Sequence, residues 1–260
     1  MRVRYAKRGR LRFASHRDFA RAFERALRRA GVPMAYSAGF TPHPKISYLG
    51  AAPTGVASEA EYLELGLAER AEPEWLRAVL DEALPPGLDV VECVEAGAGA
   101  LAERIDASLW RVELPGVPVE ELSTAVAAFL AAERVEVQRL TKDGRRALDA
   151  RRAVVSARCT VVSAQRVGAP AQGDLADCAI LEVVVRQVTP AVRPDDVLAA
   201  LRAVADLVPP TAPRASRMAQ GRLDDAGGIA DPLGPDRAAA LAARGGAPGP
   251  AGETAVSKPA

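Results

Sequence analysis

The chain has 260 residues, 49% of them hydrophobic, which is enough for one large domain or two domains of ordinary size. Its formal net charge at pH 7 is only +1, and no run of about 18 apolar residues occurs, which excludes a helix that spans a membrane. The amino-terminal residues MRVRYAKRGR are charged and no apolar segment follows them, so we expect no signal peptide.

The positive charge is concentrated at one end of the chain. Residues 1–50 contain 12 Lys and Arg residues but only two acids, Asp18 and Glu24. Residues 51–260 contain 22 bases and 31 acids, which gives this larger part a net charge of −9. A separation of charge of this kind indicates an amino-terminal surface that binds an anion.

The first fifty residues predict a strand, a helix and a stiff loop. Apolar residues fall on odd positions within residues 2–13, which predicts one kinked strand or a pair of strands with a basic face. Ser15 is a suitable N-cap for a helix whose apolar residues recur with helical spacing from Phe19 onward, and Gly31 ends it. Residues 39–47, GFTPHPKIS, predict an extended loop because their two prolines remove backbone donors and fix φ.

The order of the remaining elements predicts an α+β fold made of two tandem ferredoxin-like βαββαβ units with antiparallel sheets. The first unit is residues 1–96, and the second, looser unit is residues 107–215. Residues 223–260 contain 12 Gly and Pro residues and no aromatic residue, which predicts a disordered tail. Within the two units we predict strands over residues 61–67, 88–94, 109–114, 135–140 and 179–188, and helices over residues 73–84, 119–132 and 195–204.

Two groups of basic residues are suited to RNA, because the planar guanidinium group pairs with phosphate and stacks on bases. The first group, on the amino-terminal strand and helix, is Arg2, Arg4, Arg10, Arg12, Arg17, Arg21, Arg25, Arg28 and Arg29, with Lys45 in the stiff loop. The second group is Arg139, Lys142, Arg145, Arg146, Arg151, Arg152 and Arg158. A solvated face without a ligand is the alternative, and the sequence leaves it open.

The residues suited to catalysis are in the same stretch of the chain. They are His16, Tyr36, His43 and Lys45, and the two histidines are the only ones present. A histidine acts as a general base on a ribose hydroxyl while Lys or Arg stabilises the developing charge, which suits metal-independent RNA cleavage. The structural alternative is that His16 caps the helix and His43 holds the loop by hydrogen bonds.

Sequence motifs for other chemistries are missing. The chain has no GxxxxGK[ST], GxSxG, HxH or HExxH motif, and no GxGxxG follows a predicted strand. Cys93, Cys159 and Cys178 form no CxxC pattern, so we expect reduced thiols and a cytoplasmic location. We expect neither a metal nor a bound cofactor.

The run RFASHRDFARAFERALRRAGVPMAYSAGFTPHPKIS, followed by residues 55–56 and 58–62, resembles the bacterial radical-SAM-linked domain family of unknown function, in its stand-alone actinobacterial form. The resemblance is strong over about residues 1–95 and thins through residues 107–215, where KDGRRALDARR again resembles the family. The positions that match its motif are Ser15, His16, Asp18, Glu24, Arg25, Arg28, Gly39, Phe40, Pro42, Pro44, Ser47 and Asp149.

The resemblance implies a partner encoded separately, either a radical SAM protein or an E/G-type ribonuclease, because this chain lacks the CxxxCxxC motif that holds an iron–sulfur cluster. We therefore predict an accessory protein that binds tRNA or rRNA through its amino-terminal arginines and presents it to that enzyme. Two alternatives remain open. One is a metal-independent RNA-cleaving or RNA-modifying enzyme that uses His16 or His43, and the other is a protein-interaction scaffold.

Overall fold

The computed structural model describes residues 1–141, 144–161 and 178–245. The amino-terminal half forms β1 (Arg2–Lys7), α1 (His16–Arg29), β2 (Ile46–Leu49), β3 (Ala57–Leu65), α2 (Pro73–Ala83) and β4 (Leu88–Val94). The remainder forms β5 (Ala107–Pro115), α3 (Val119–Ala131), β6 (Glu136–Thr141), β7 (Gly144–Asp149), β8 (Val154–Val161), β9 (Cys178–Arg186), α4 (Pro194–Ala205), β10 (Arg214–Leu223), β11 (Ile229–Ala230) and α5 (Gly234–Gly245). No described helix is both long enough and apolar enough to cross a membrane.

One mixed sheet runs through the molecule in the strand order β4-β1-β3-β10-β5-β9-β8, with β2 paired to β3 and β11 paired to β10. The pairings are antiparallel except between β3 and β10, which are parallel at Ala57 and Ser58. Strands β6 and β7 form a separate hairpin. The predicted α+β class is confirmed, but the prediction of two antiparallel sheets is corrected: strands from both halves share one sheet across the β3–β10 pairing.

Helix α1 begins and ends where local chemistry requires. The Ser15 hydroxyl accepts a hydrogen bond from the Asp18 amide at 3.3 Å, which satisfies one of the free donors of the first turn. Gly31 follows the helix with φ at +64°, a conformation that glycine adopts without steric cost. The apolar side, with Phe19 and Phe23 at its centre, is buried against β1, where Tyr5 stacks on Phe19 at 4.5 Å between ring centroids. This leaves the opposite side of α1 at the surface.

Two apolar clusters form the main cores. Helices α1 and α2 cover β1, β3 and β4, with Phe23, Leu63 and Leu80 fully buried between them. Helices α3 and α4 cover β5, β8 and β9, with Phe129 and Leu181 at the centre of the second cluster. Both clusters follow from the helical and alternating apolar patterns in the sequence.

Two predicted boundaries are corrected by the structure. The predicted kinked strand over residues 2–13 is strand β1 followed by a 3₁₀ turn at Gly9–Phe13, since Gly9 has φ at +54° and leaves the strand conformation. The predicted tail begins at residue 223, yet β11 and α5 are ordered within it, held by the buried Asp236. Strand β10 also lies where no strand is predicted. Residues 142–143, 162–177 and 246–260 lie outside the described residues, as do the predicted base Lys142 and the end of the predicted tail.

Candidate nucleic-acid interface

The exposed side of α1 is a stripe of arginines. All five arginine side chains of the helix are exposed, those of Arg17, Arg21, Arg25, Arg28 and Arg29. Arg17, Arg21, Arg25 and Arg28 are spaced by four, four and three residues, and Arg29 follows Arg25 by four residues, so each arginine has a neighbour one turn away on the same side. At 1.5 Å per residue the stripe from Arg17 to Arg28 is about 16 Å long. We call these five residues the α1 arginine stripe.

Little negative charge neutralises the α1 arginine stripe. Within the described residues its one ion pair joins Arg28 Nη2 to Glu24 Oε2 at 3.9 Å, a long contact in a largely exposed position. Asp18 lies beside the stripe, but its carboxylate accepts a hydrogen bond from the Ser15 hydroxyl at 2.7 Å. That bond is the main reason that the pKa of Asp18 is lowered, with Arg21 and Arg17 contributing less. The stripe and its two acids therefore keep a net positive charge.

The basic residues of β1 do not extend this surface, contrary to the predicted basic strand. Arg2 is buried and pairs with Glu64 and Asp236, at 2.9 and 2.6 Å. Arg4 Nε donates to the Glu59 carbonyl at 3.0 Å. Arg10, in the 3₁₀ turn, is exposed. The charge count of the first fifty residues therefore overstates the free positive surface, because part of it is used inside the fold.

Arg12 and Lys45 lie at the edges of this region. Arg12 is half-buried, with its guanidinium carbon 4.7 Å from the centroid of the exposed Phe13 ring, and its buried Nε has no partner among the described residues. Lys45 is exposed, and its backbone amide donates to the Ala35 carbonyl at 2.8 Å. Both cations are thus accessible in part and anchored by local contacts.

The predicted stiff loop is held closed by hydrogen bonds at its base. The Ser37 amide donates to the His43 carbonyl at 2.9 Å, and the His43 amide donates to the Ser37 hydroxyl at 3.0 Å. Tyr36 and Pro44 form a bridge beside this pair. The loop is therefore a constrained turn whose side chains, including Phe40 at its tip, point away from the core.

A cleft of about 220 Å³ lies between this loop and the end of α1. Its polar lining consists of Glu24, Arg28, Tyr36 and His43. Arg28 belongs both to this cleft and to the α1 arginine stripe, so the two features are continuous. The structure thus brings two of the four predicted catalytic residues, Tyr36 and His43, together with a carboxylate and a guanidinium.

The other two predicted catalytic residues do not line this cleft. His16 is the first residue of α1, and its exposed ring meets Tyr48 edge to face at 5.0 Å between centroids. Tyr48 in turn packs on Phe19 at 5.6 Å. The position of His16 suits the packing of a helix end more than proton transfer, and Lys45 also lies outside the cleft lining.

The second predicted basic group is divided by the structure. Arg139 pairs with the buried Asp196, with Nε 2.9 Å from its Oδ1, and Arg158 pairs with Glu182 at 2.7 Å. Arg151 is half-buried and donates to the Leu130 and Val154 carbonyls. Arg158 is exposed but held by this pair, whereas Arg145, Arg146 and Arg152, on and after the β6–β7 hairpin, are exposed and have no ion pair among the described residues. Within the described part of the group, these three are the cations most available to a ligand at the surface.

Residues 1–194 match the model of a family described as an uncharacterised protein conserved in bacteria, DUF2344. The chain belongs to this family. Among proteins with curated descriptions, none matches the sequence significantly. The DUF2344 match includes the α1 arginine stripe, the constrained loop and the hairpin, and it ends at the first residue of α4, before β10, β11 and α5.

In this DUF2344 member the structure adds two exposed aromatic side chains, Phe13 and Phe40, to the region of the predicted catalytic residue Tyr36. Phe13, Tyr36 and Phe40 are all at least half exposed, Phe40 completely so. They lie in the 3₁₀ turn before α1 and in the constrained loop after it. Their signal in the sequence was present, because they account for three of only nine Phe and Tyr residues in the chain.

Among the described residues no group of His, Cys, Asp or Glu could hold a metal ion.

Proposed function

We propose that this protein binds RNA through the α1 arginine stripe and presents it to a partner enzyme. The observation that supports this proposal is the stripe itself, five exposed arginines on one helix of which one has a long contact to an acid. Exposed arginines contact phosphates and supply affinity that does not depend on sequence.

The exposed aromatic residues favour unpaired RNA over a duplex. Bases in single-stranded loops stack on aromatic side chains, and each such contact contributes about 1–3 kcal/mol. Phe13 is beside Arg12, and Tyr36 is beside Arg28 in the lining of the same cleft. We therefore propose a single-stranded segment of tRNA or rRNA, with its phosphates on the stripe and bases near these rings.

The test is the binding of bulk tRNA, measured by fluorescence anisotropy at several salt concentrations. Contact with five phosphates predicts a slope of log K against log salt of about −3.5 for single-stranded RNA. The variant Arg21→Glu/Arg28→Glu should abolish binding, since it reverses two charges in the middle and at the end of the stripe. Both side chains are exposed, so the variant should fold.

The matched control is Arg186→Glu/Arg202→Glu, which makes the same change in net charge at two exposed arginines of the second half that have no ion pair among the described residues. This control should bind RNA as the wild type does. If both double variants lose affinity equally, the binding reflects net charge alone, and the proposed surface is wrong. If neither loses affinity, the stripe is free for an acidic protein partner, the scaffold alternative.

A second candidate function is RNA cleavage or modification in the cleft beside the stripe. The observation that favours it is the meeting of His43, Tyr36, Glu24 and Arg28 around one space of about 220 Å³. His43 would act as a general base toward a ribose hydroxyl, and Arg28 would stabilise the charge that develops on phosphate. This reaction needs no metal, so a chelator should leave it unchanged.

Incubation of the full chain with total RNA, with and without chelator, tests the second candidate. His43→Ala should remove any product that the wild type makes, whereas His16→Ala should not, because His16 is outside the cleft. Identical products from the wild type and His43→Ala would exclude a catalytic role for this cleft.

Three further proposals concern the partner enzyme, the cellular location and the arrangement of the two halves. The resemblance of about residues 1–95 to radical-SAM-linked domains supports a separate radical SAM protein or an E/G-type ribonuclease as the partner. Three cysteines without disulfides support a cytoplasmic location. The strand orders β4-β1-β3-β2 and β10-β5-β9-β8, each with two helices, support the assignment of two ferredoxin-like units within the shared sheet.

A further inference from the structure

A second and larger cleft lies where the two halves of the sheet meet. Its volume is about 560 Å³, within the range of about 300–1,000 Å³ that is usual for small-molecule sites. Strand β10 contributes Arg217 and Gln220 to the lining, and β5 contributes Ser108 and Trp110. The rest of the lining comes from residues 50–53 and from the segment at residues 185–193. This cleft shares no lining residue with the cleft beside α1.

Arg217 is the unusual group in this cleft, because it is 5% exposed and only partly satisfied. Its Nη1 donates to the Gly50 carbonyl at 2.5 Å, and its guanidinium carbon lies 4.7 Å from the centroid of the Trp110 ring. Its buried Nε has no hydrogen-bond partner among the described residues. A buried charged donor without a partner costs free energy, so a ligand acceptor at this nitrogen would be favourable.

The charges around Arg217 leave room for an anion. Lys7 and Glu61 are buried nearby, and both form hydrogen bonds with the backbone of Ala52. Lys7 Nζ donates to the Ala52 carbonyl at 3.3 Å, and the Ala52 amide donates to Glu61 Oε2 at 2.9 Å. Glu61 Oε1 is also 3.3 Å from Arg217 Nη1. Within the part of the chain that the structure describes, one carboxylate thus faces two buried cations, which leaves one positive charge in excess.

The mouth of the cleft is positively charged, and part of its wall is apolar. Arg186 and Arg193 line the mouth and are exposed, and no acidic side chain is among the lining residues in the part of the chain that the structure describes. Trp110 and Val192 are buried apolar residues that form part of its wall. An occupant that fits both features has an anionic group at one end and an apolar body at the other.

We propose that this cleft binds a small organic anion, a carboxylate or a phosphate monoester with an apolar or aromatic body, whose charged group is received by Arg217. The apolar body lies against Trp110. This site is independent of the RNA surface on α1, and its ligand would bind between the two halves of the sheet. Because β10 joins those halves, the bound anion would bridge them.

The experiment uses intrinsic fluorescence. Trp75 and Trp110 are the only tryptophans, and Trp75 is exposed on α2, so in the Trp75→Phe chain the signal reports Trp110 alone. Phenyl phosphate and sodium benzoate are titrated as probes, with benzyl alcohol as the neutral analogue and inorganic phosphate as the anion without an apolar body. Saturable changes with either aromatic anion, and none with benzyl alcohol, are the expected result.

Arg217→Gln in the same background should weaken binding about tenfold or more, the usual loss for a hydrogen bond to a charged group. Arg186→Gln, at an exposed position, should weaken it less and serves if Arg217→Gln does not fold. Arg202→Gln, outside the cleft, should have no effect. Absence of saturable binding by both aromatic anions, or equal binding by wild type and both cleft variants, overturns the proposal. Equal affinity for inorganic phosphate and phenyl phosphate overturns the role given to Trp110.

Discussion

Replacement of Asp236 by alanine tests whether the carboxyl-terminal helix α5 is part of the fold. The Asp236 side chain is 1% exposed and accepts hydrogen bonds from Arg2 Nη1 at 2.6 Å, from Arg104 Nη1 at 2.8 Å and from the Gly97 amide at 2.9 Å. Asp236→Ala removes the acceptor that these donors share. Arg2, itself 2% exposed, then keeps Glu64 as its one ionic partner among the described residues.

The expected loss is large because it leaves buried positive charge without its counterion. Removal of one partner of a buried ion pair costs about 3–5 kcal/mol. At about 2–4 °C per kcal/mol for a protein of this size, the melting temperature should fall by about 6–20 °C. A disordered tail from residue 223 predicts no change at all, so the two interpretations differ by a wide margin.

Thermal unfolding followed by circular dichroism at pH 7 measures the effect. The matched control is Asp225→Ala, the same change at an exposed acid in the turn between β10 and β11. The control should melt within about 1 °C of the wild type, as surface substitutions usually do. If Asp236→Ala melts there too, α5 is not docked through Asp236 and the reasoning is wrong.

Three further predictions concern the same chain. Burial alone would raise the pKa of Asp236, but hydrogen bonds from Arg2 and Arg104 outweigh it and lower the pKa below 3.8. The difference in unfolding free energy between the wild type and Asp236→Ala should therefore be full above about pH 4 and should shrink as the pH falls below that value. Urea unfolding at several pH values measures this difference. Gly221→Ala should destabilise the protein, since its Cβ would lie 1.8 Å from the Ala230 carbonyl oxygen, whereas Gly234→Ala, whose nearest atom is at 3.9 Å, should melt as the wild type does. Burial raises the pKa of Cys93 to about 12, so at pH 8 a thiol reagent should label Cys93 only after unfolding, as peptide mapping would show, and labelling in the native protein would contradict its burial.

The sequence was sufficient to predict the elements whose structure depends on contacts between residues close together in the chain. Helix α1 could be predicted because Ser15, the apolar period from Phe19 and the stop at Gly31 all act within a few residues of one another. The same is true of the constrained loop, whose prolines restrict the backbone directly. The exposed arginines of α1 follow from the same period, since burial of the apolar side turns the other side to solvent.

Long-range contacts decided what the sequence did not. Strand β10 could not be recognised because two of its buried side chains, Arg217 and Gln220, are polar, and their partners at Gly50 and Ala60 are more than 150 residues away in the chain. Polar residues are mostly exposed in folded proteins, so a sequence pattern with polar residues at these positions does not indicate a buried strand.

The use of each charge was also decided by the tertiary structure. Arg2 and Arg21 are alike in composition, yet Arg2 is enclosed by acids that come from β3 and α5, whereas Arg21 faces solvent. Charge is a property of the residue, but its availability depends on which carboxylates the fold brings near. The sequence by itself therefore determined the helix and its arginine stripe. Only the tertiary structure determined which cations stay free, how His43 meets Glu24, and that a cleft opens at Arg217.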